Sequence, residues 1–309
     1  MLAKPSDVTD GAKAAPLPAP VHFLHRPRLF IDVQHGLCNR LRALASAAVI
    51  ARATERTLVL IWRPDHHCGA RIGDLLRYPG PVIEDAAADG LRARSARVYN
   101  YMEIEPGARL DEPVLPRGAQ PQGDVYVRSA APLVSPYRDG KQERRFLREL
   151  VLTDAVAALV ARGRPGCDVA VHVRMATGEA FDHLPHEAPS NWPAHRHAEI
   201  VAWRRASHAE RFIKRLDDLV AAGGIGTIFL AADLPETYER FAAHYGQRLF
   251  RLPRQQYDRS VPQVQHALAD LALLASGRRL LASTWSTFSD MAVMLAGPHR
   301  PMERSGIDF

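Results

Sequence analysis

A chain of 309 residues with 47% hydrophobic and 24% charged content has enough apolar material for one large core or two ordinary ones, which excludes a chain disordered throughout. Its formal net charge is +6, from 40 Lys and Arg against 34 Asp and Glu, a mild excess that fits an anionic ligand. The arginines are scattered rather than gathered into a nucleic-acid-binding arm.

No apolar run approaches the roughly 18 residues needed to span a bilayer. The first 27 residues contain much Pro, Ala and Asp and no apolar core, so they read as a disordered tail rather than a signal peptide. The cysteines are three and far apart: Cys38, Cys68 and Cys167. That argues against a disulfide framework and fits a soluble protein in a reducing, cytoplasmic setting.

Along the chain, RLFIDVQ at 28–34 predicts a strand and HGLCNR a turn. A helix follows, with Leu41, Leu44, Ala45 and Ala48 on one face and Asn39 as a favourable N-cap. TLVLIW at 57–62 is a continuous apolar run, as in a strand buried on both faces, so 28–62 reads β–α–β with a parallel sheet. The region 63–135 is loop-rich, with DVYVRS at 124–129 as a short strand. Residues 141–162 read as one helix, and GRPG at 163–166 ends it and marks a domain boundary. Beyond it come a strand at 168–173, a long polar insert, a helix near 207–222, a strand at 226–232 and a helix from about Pro235. A short strand at 249–252, a helix at 262–276, the strand RRLLA and a last helix from about 286 complete the pattern. The fold class is α/β. After the tail at 1–27, a first Rossmann-like half covers 28–165 and a second covers 166–309, with a ligand expected in the cleft between them.

Four groups fall at strand ends on one side of these sheets. The turn Gln34–Arg40 contains Gly36 and leads into a helix N-terminus, where free N–H groups suit an anion or a sugar. It is neither a dinucleotide fingerprint nor a Walker loop, and Gly36 and Asn39 equally serve only to turn and cap. The second group is His172-Val173-Arg174, at the carboxyl end of a strand. Alternation turns His172 and Arg174 to one side, a pincer for a diphosphate; the alternative is a structural arginine paired with a nearby carboxylate. The third is Asp233, which either accepts from a base or ribose or caps the next helix. The fourth is the hydroxyl-rich run Ser283–Ser289, suited to phosphate oxygens or to helix capping. Basic fork, hydroxyls, carboxylate and glycine turn together describe a nucleoside-diphosphate site.

Two other signals carry less. Asp65-His66-His67-Cys68 spells the motif of protein palmitoyltransferases, which are membrane proteins with a cysteine-rich zinc module; this chain has neither feature, and the match is chance. His183, His186, His195, His197 and His208 lack acidic or Cys partners at ligand spacing, so no metal is expected.

The four groups, in order and rough spacing over about 28–297, resemble the fucosyltransferase superfamily that contains the nodulation α-1,6-fucosyltransferases and the protein O-fucosyltransferases. The matching residues are Gly36 and Asn39 of a Gly-x-x-Asn turn, His172-Val173-Arg174, the strand end Ala232-Asp233, and Ser286-Thr287-Phe288. HVRMATGE is close to the nodulation form, with Glu179 in the matching Gly-Glu pair, and Asp270 fits a recurrent Asp. The resemblance implies a GT-B fold of two Rossmann-like halves, GDP-fucose as donor and no metal or other cofactor. Arg174 would then contact the β-phosphate and assist departure of GDP, with His172 beside it. Asp233 would bind the nucleoside end, and Ser286, Thr287 and Phe288 the phosphates and base. The turn holding Gly36, Asn39 and Arg40 would lie near the phosphate or the reacting sugar, and Glu179 is the candidate base for an acceptor hydroxyl. The implied partners are a nucleotide sugar and a glycan or protein acceptor, with no nucleic acid and no integral membrane segment. The motif departs from the HVRRGD form of the α-1,2 branch, and the first half is short, so acceptor specificity does not transfer. Another nucleotide sugar on the same fold, or a non-catalytic nucleotide-sugar-binding protein, is the alternative.

Overall fold

The apolar runs become two parallel five-stranded sheets in the computed structural model, which describes residues 26–118, 121–297 and 299–309. All but the last two residues of the expected tail lie outside the described residues.

The first sheet holds β1 (Arg28–Val33), β2 (Thr57–Ile61), β3 (Val82–Ile83), β4 (Arg97–Tyr101) and β5 (Val125–Ser129), in the order β3-β2-β1-β5-β4. The helices that precede the second sheet in the chain are α1 (Leu37–Ala53), the short α2 (Leu91–Arg94), α3 (Gly140–Glu149) and α4 (Asp154–Arg162). The second sheet holds β6 (Val169–Val173), β7 (Ile228–Ala232), β8 (Leu249–Phe250), β9 (Arg279–Ala282) and β10 (Met302–Arg304), in the order β10-β9-β6-β7-β8. Its helices are α5 (Ala194–Ala206), α6 (Ala209–Ala221), α7 (Pro235–Tyr245), α8 (Val261–Ser276) and α9 (Thr287–Leu295). In each sheet the strand order reverses beside the first strand, between β1 and β5 and between β6 and β9. Helices diverge on either side of such a point and leave a crevice at the carboxyl ends of the strands.

Several expectations are corrected. Helix α1 begins at Leu37 with Gly36 in the N-cap position, so Asn39 lies inside the first turn and does not cap. The span read as one helix is two, because Leu150–Thr153 runs extended, Leu152 bridges to Leu76, and Thr153 starts α4. The polar insert contains α5, none of whose residues is buried, so it carries no core-facing apolar stripe to read. Strands β3 and β10 are only two and three residues long, and β4, Arg97–Tyr101, buries only its last three residues.

The halves share core. Leu44, Ile50, Trp62 and Leu147 of the first belong to one cluster with Leu268, Leu271, Leu280 and Met291 of the second. A backbone bond also crosses, from Gly69 N–H to the Arg259 carbonyl at 2.9 Å. A Cβ at Gly69 would lie 2.7 Å from that oxygen, so only glycine permits the approach. Among the described residues, no helix is long and apolar enough to cross a membrane.

Candidate active site

Strand β6 is buried along its whole length and ends at the switch point of the second sheet. Arg174 follows it directly. Its backbone N–H donates to Ser283 Oγ at 2.9 Å, and that hydroxyl donates to the His172 carbonyl at 2.9 Å, tying β6 to the loop after β9. The guanidinium is held at both ends. Nη1 donates to Asp233 Oδ2 at 2.5 Å, and Nη2 donates to Glu187 Oε1. Burial alone would lower the pKa of Arg174, but Glu187 and Asp233 outweigh it and hold the pKa above the ordinary arginine value. The charge at the end of this buried strand therefore has two carboxylate partners.

Asp233 does more than pair. Its carboxylate also accepts from the Met175 N–H at 2.9 Å and the Ala176 N–H at 2.7 Å, so it shapes the loop that carries Arg174. Burial would raise its pKa, but Arg174 and the Ala176 N–H bring it below the ordinary carboxylate value. These bonds tie Asp233 to Arg174 and to the backbone of residues 175 and 176.

His172 is 5% exposed and shares a 2.8 Å hydrogen bond through Nδ1 with Ser289 Oγ. Its ring stacks on Phe288 at 4.9 Å. Burial takes its pKa down to about 3, so the imidazole is neutral near pH 7. Of the expected imidazole–guanidinium pair, Arg174 alone thus carries positive charge, while His172 is neutral. Phe288 and Ser289 of α9 serve His172, while Ser286 is buried at the N-cap position of that helix with no side-chain cap bond. Thr287, the first residue of α9, is half-buried. Trp285 enters this turn at φ 56, 44% exposed, stacked on Trp203.

The first turn is arranged differently from its expectation. The left-handed residue is His35 at φ 62, while Gly36 has an ordinary φ of −69. Asn39 is half-buried, and its side chain makes no hydrogen bond to the described residues. Arg40 is fully buried: Nε donates to the His35 carbonyl and Nη1 to the Arg63 carbonyl, both at 2.7 Å, and Nη2 lies 2.8 Å from Asp65. It joins the turn to the loop after β2 and has no exposed face for a phosphate. In that loop Asp65 accepts from the His67 and Cys68 N–H groups, a local turn formed by the Asp-His-His-Cys stretch.

Glu179 is exposed and makes no hydrogen bond or ion pair among the described residues. The acid beside Arg174 is Glu187, eight positions later and buried. Glu187 also accepts from Thr177 Oγ1 at 2.9 Å and lies 3.7 Å from Arg259. Arg204, from α5, donates to the Thr284 and Trp285 carbonyls at 3.3 and 3.2 Å, and burial with the Arg174 charge takes its pKa down to about 10. Glu187, Arg204 and Arg259 lie in polar or loop segments whose pattern carries no signal of convergence; the left-handed φ of 64 at Arg259 is visible only in the backbone. Asp270 is buried and paired with Arg254. The three cysteines are buried and free, and burial raises each thiol pKa. Among the described residues no group of three or more His, Cys, Asp or Glu converges as a metal-ligand set.

The result is three guanidiniums, Arg174, Arg204 and Arg259, around two carboxylates, Asp233 and Glu187, with one positive charge in excess beside a helix N-terminus. Such a cluster is suited to an anion with several oxygens.

No family model matches the chain, and no curated protein matches it in sequence. Solved structures do. The fold matches that of NodZ α-1,6-fucosyltransferase soaked with GDP-fucose, at TM-score 0.55 and 18% identity over 88% of this chain and 93% of that one. The selenomethionine form of fucosyltransferase NodZ from Bradyrhizobium gives TM-score 0.60 at the same identity and coverage. POFUT1 in complex with GDP-fucose gives TM-score 0.52 at 13% identity, covering 94% of this chain and 100% of that one. The class that the architecture defines is therefore the two-sheet α/β fold of the fucosyltransferases, and at these identities the likeness is one of fold.

Proposed function

We propose that this chain is a glycosyltransferase that transfers fucose from GDP-fucose to a hydroxyl of a glycan or protein acceptor, without a metal. The observation that carries the reading is Arg174, a fixed guanidinium at the switch point of the second sheet, on a fold shared with fucosyltransferases crystallised with GDP-fucose. Breaking the bond between sugar and diphosphate builds negative charge on the leaving phosphate. A permanent cation stabilises that charge without changing its own protonation. The α9 N-terminus, with Ser286 and Thr287, adds N–H and hydroxyl donors on the same side. In this reading the two halves, 28–165 and 166–309, form the two domains of a GT-B enzyme, and donor and acceptor meet between the carboxyl ends of their sheets. The free thiols fit a cytoplasmic setting.

Thermal shift with GDP, UDP and CMP tests the donor. A rise in melting temperature with GDP is expected; a clear rise with UDP and none with GDP would overturn the assignment. Arg174→Lys keeps the charge but loses the fork, and should lower transfer from GDP-fucose by about a hundredfold. Unchanged transfer would remove Arg174 from the leaving-group role.

A further inference from the structure

Arg259 lies in the loop between β8 and α8, where the second half touches the first. Its carbonyl accepts the crossing bond from Gly69, and its own φ is 64. A left-handed conformation at a non-glycine residue is uncommon, and such residues cluster at functional sites. Its guanidinium makes no hydrogen bond to any described residue, and the side chain is 29% exposed. The nearest acid is Glu187, whose Oε1 lies 3.7 Å from Arg259 Nη2. The same Oε1 accepts from Arg174 Nη2. Two guanidiniums from separate loops thus converge on one carboxylate oxygen, and Arg174 is already anchored at its other end by Asp233. Burial and the Arg174 charge together lower the pKa of Arg259, which marks how closely the cations crowd.

We infer that Arg174 and Arg259 form a two-guanidinium seat for a diphosphate, and that the Glu187 carboxylate is an internal occupant which the diphosphate displaces. This rests on the nucleotide-sugar reading for the identity of the ligand. A single carboxylate leaves Arg259 at 3.7 Å with its donors unused, whereas a diphosphate has enough oxygens and charge to engage both forks. Glu187 shields two like charges from each other until the ligand arrives. Arg259 thereby couples the seat to the contact between the halves, since the same residue carries the carbonyl bonded to Gly69.

Calorimetric titration of the full chain with GDP and with inorganic pyrophosphate tests this. Arg259→Asn removes the charge while tolerating the left-handed backbone. It should weaken both ligands by about tenfold or more. Arg259→Lys should recover part of the affinity, and it is the comparison to use if the Asn variant does not fold. Glu187→Gln, which leaves shape but removes the competing charge, should tighten both ligands by about tenfold. Wild-type affinity in Arg259→Asn, or in Arg259→Lys where that variant stands alone, overturns the seat. Unchanged or weakened binding in Glu187→Gln overturns the displaced occupant. Pyrophosphate binding that follows these variants, with no binding of GDP, keeps the seat and overturns the nucleotide reading. Failure of both ligands to bind wild type and Glu187→Gln overturns the seat itself.

Discussion

The neutral imidazole of His172 makes this fold acid-sensitive in a defined window. The ring is 5% exposed, stacked on Phe288 and bonded to Ser289, and burial holds its pKa to about 3 against an ordinary 6.5. An unfolded chain takes up a proton at this ring below 6.5, while the folded chain does so only near 3. Within that window the unfolded state binds more protons, so stability falls as pH falls. From 6.5 down to about pH 5 is about 1.5 pH units, and at about 1.4 kcal/mol each the loss is about 2 kcal/mol from this group. His67 and His186, both taken down to about 4 by burial first, act in the same direction. The informative quantity is therefore the difference between wild type and His172→Asn, which keeps a polar group near Ser289 but does not titrate. Urea unfolding at about pH 7 and about pH 5, extrapolated to water, measures it. Wild type should lose about 2 kcal/mol more than the variant between the two conditions. Parallel losses would refute the assignment of a buried neutral imidazole at 172.

Three further substitutions test the scaffold. Gly69→Ala forces a methyl against the Arg259 carbonyl and should cost about 1–3 kcal/mol, read as a fall in melting temperature; an unchanged melting temperature would mean that the two loops do not approach so closely. Asp233→Asn removes the negative charge paired with Arg174 and leaves one amide oxygen where two carboxylate oxygens accepted, and should cost about 3 kcal/mol in urea unfolding, with a loss below about 1 kcal/mol counting against the pairing. Arg40→Lys loses the fork that bonds the His35 and Arg63 carbonyls and should cost about 2 kcal/mol. GDP affinity should not change in that variant, and a large drop would return Arg40 to the ligand site.

Much of the architecture was legible because its causes are local. Continuous apolar runs such as VAVHV and TLVLI, separated by helices of regular period, leave parallel sheets as the economical arrangement. The same locality hid other elements. Helix α5 has no buried residue and β10 only three residues, so neither produces a pattern, and the break at Leu150–Thr153 depends on a bridge to Leu76, which is distant in sequence. At the candidate site, the placing of Arg174 and Asp233 at strand ends was readable from the strands themselves. Their pairing with each other was not, because β6 and β7 must first lie side by side.

The sequence by itself determined parallel α/β sheets and a set of polar residues at the ends of their strands, since hydrophobic period and turn residues act over a few positions. The tertiary structure alone decided the electrical character of each group. Burial against α9 makes His172 neutral, enclosure makes Arg40 a strut, and the path of the insert brings Glu187 rather than Glu179 to Arg174. The loop before α8 brings Arg259 to the same carboxylate oxygen. Protonation and pairing depend on desolvation and on charges a few ångströms away, and those neighbours come from segments that meet only when the sheets and their loops have packed.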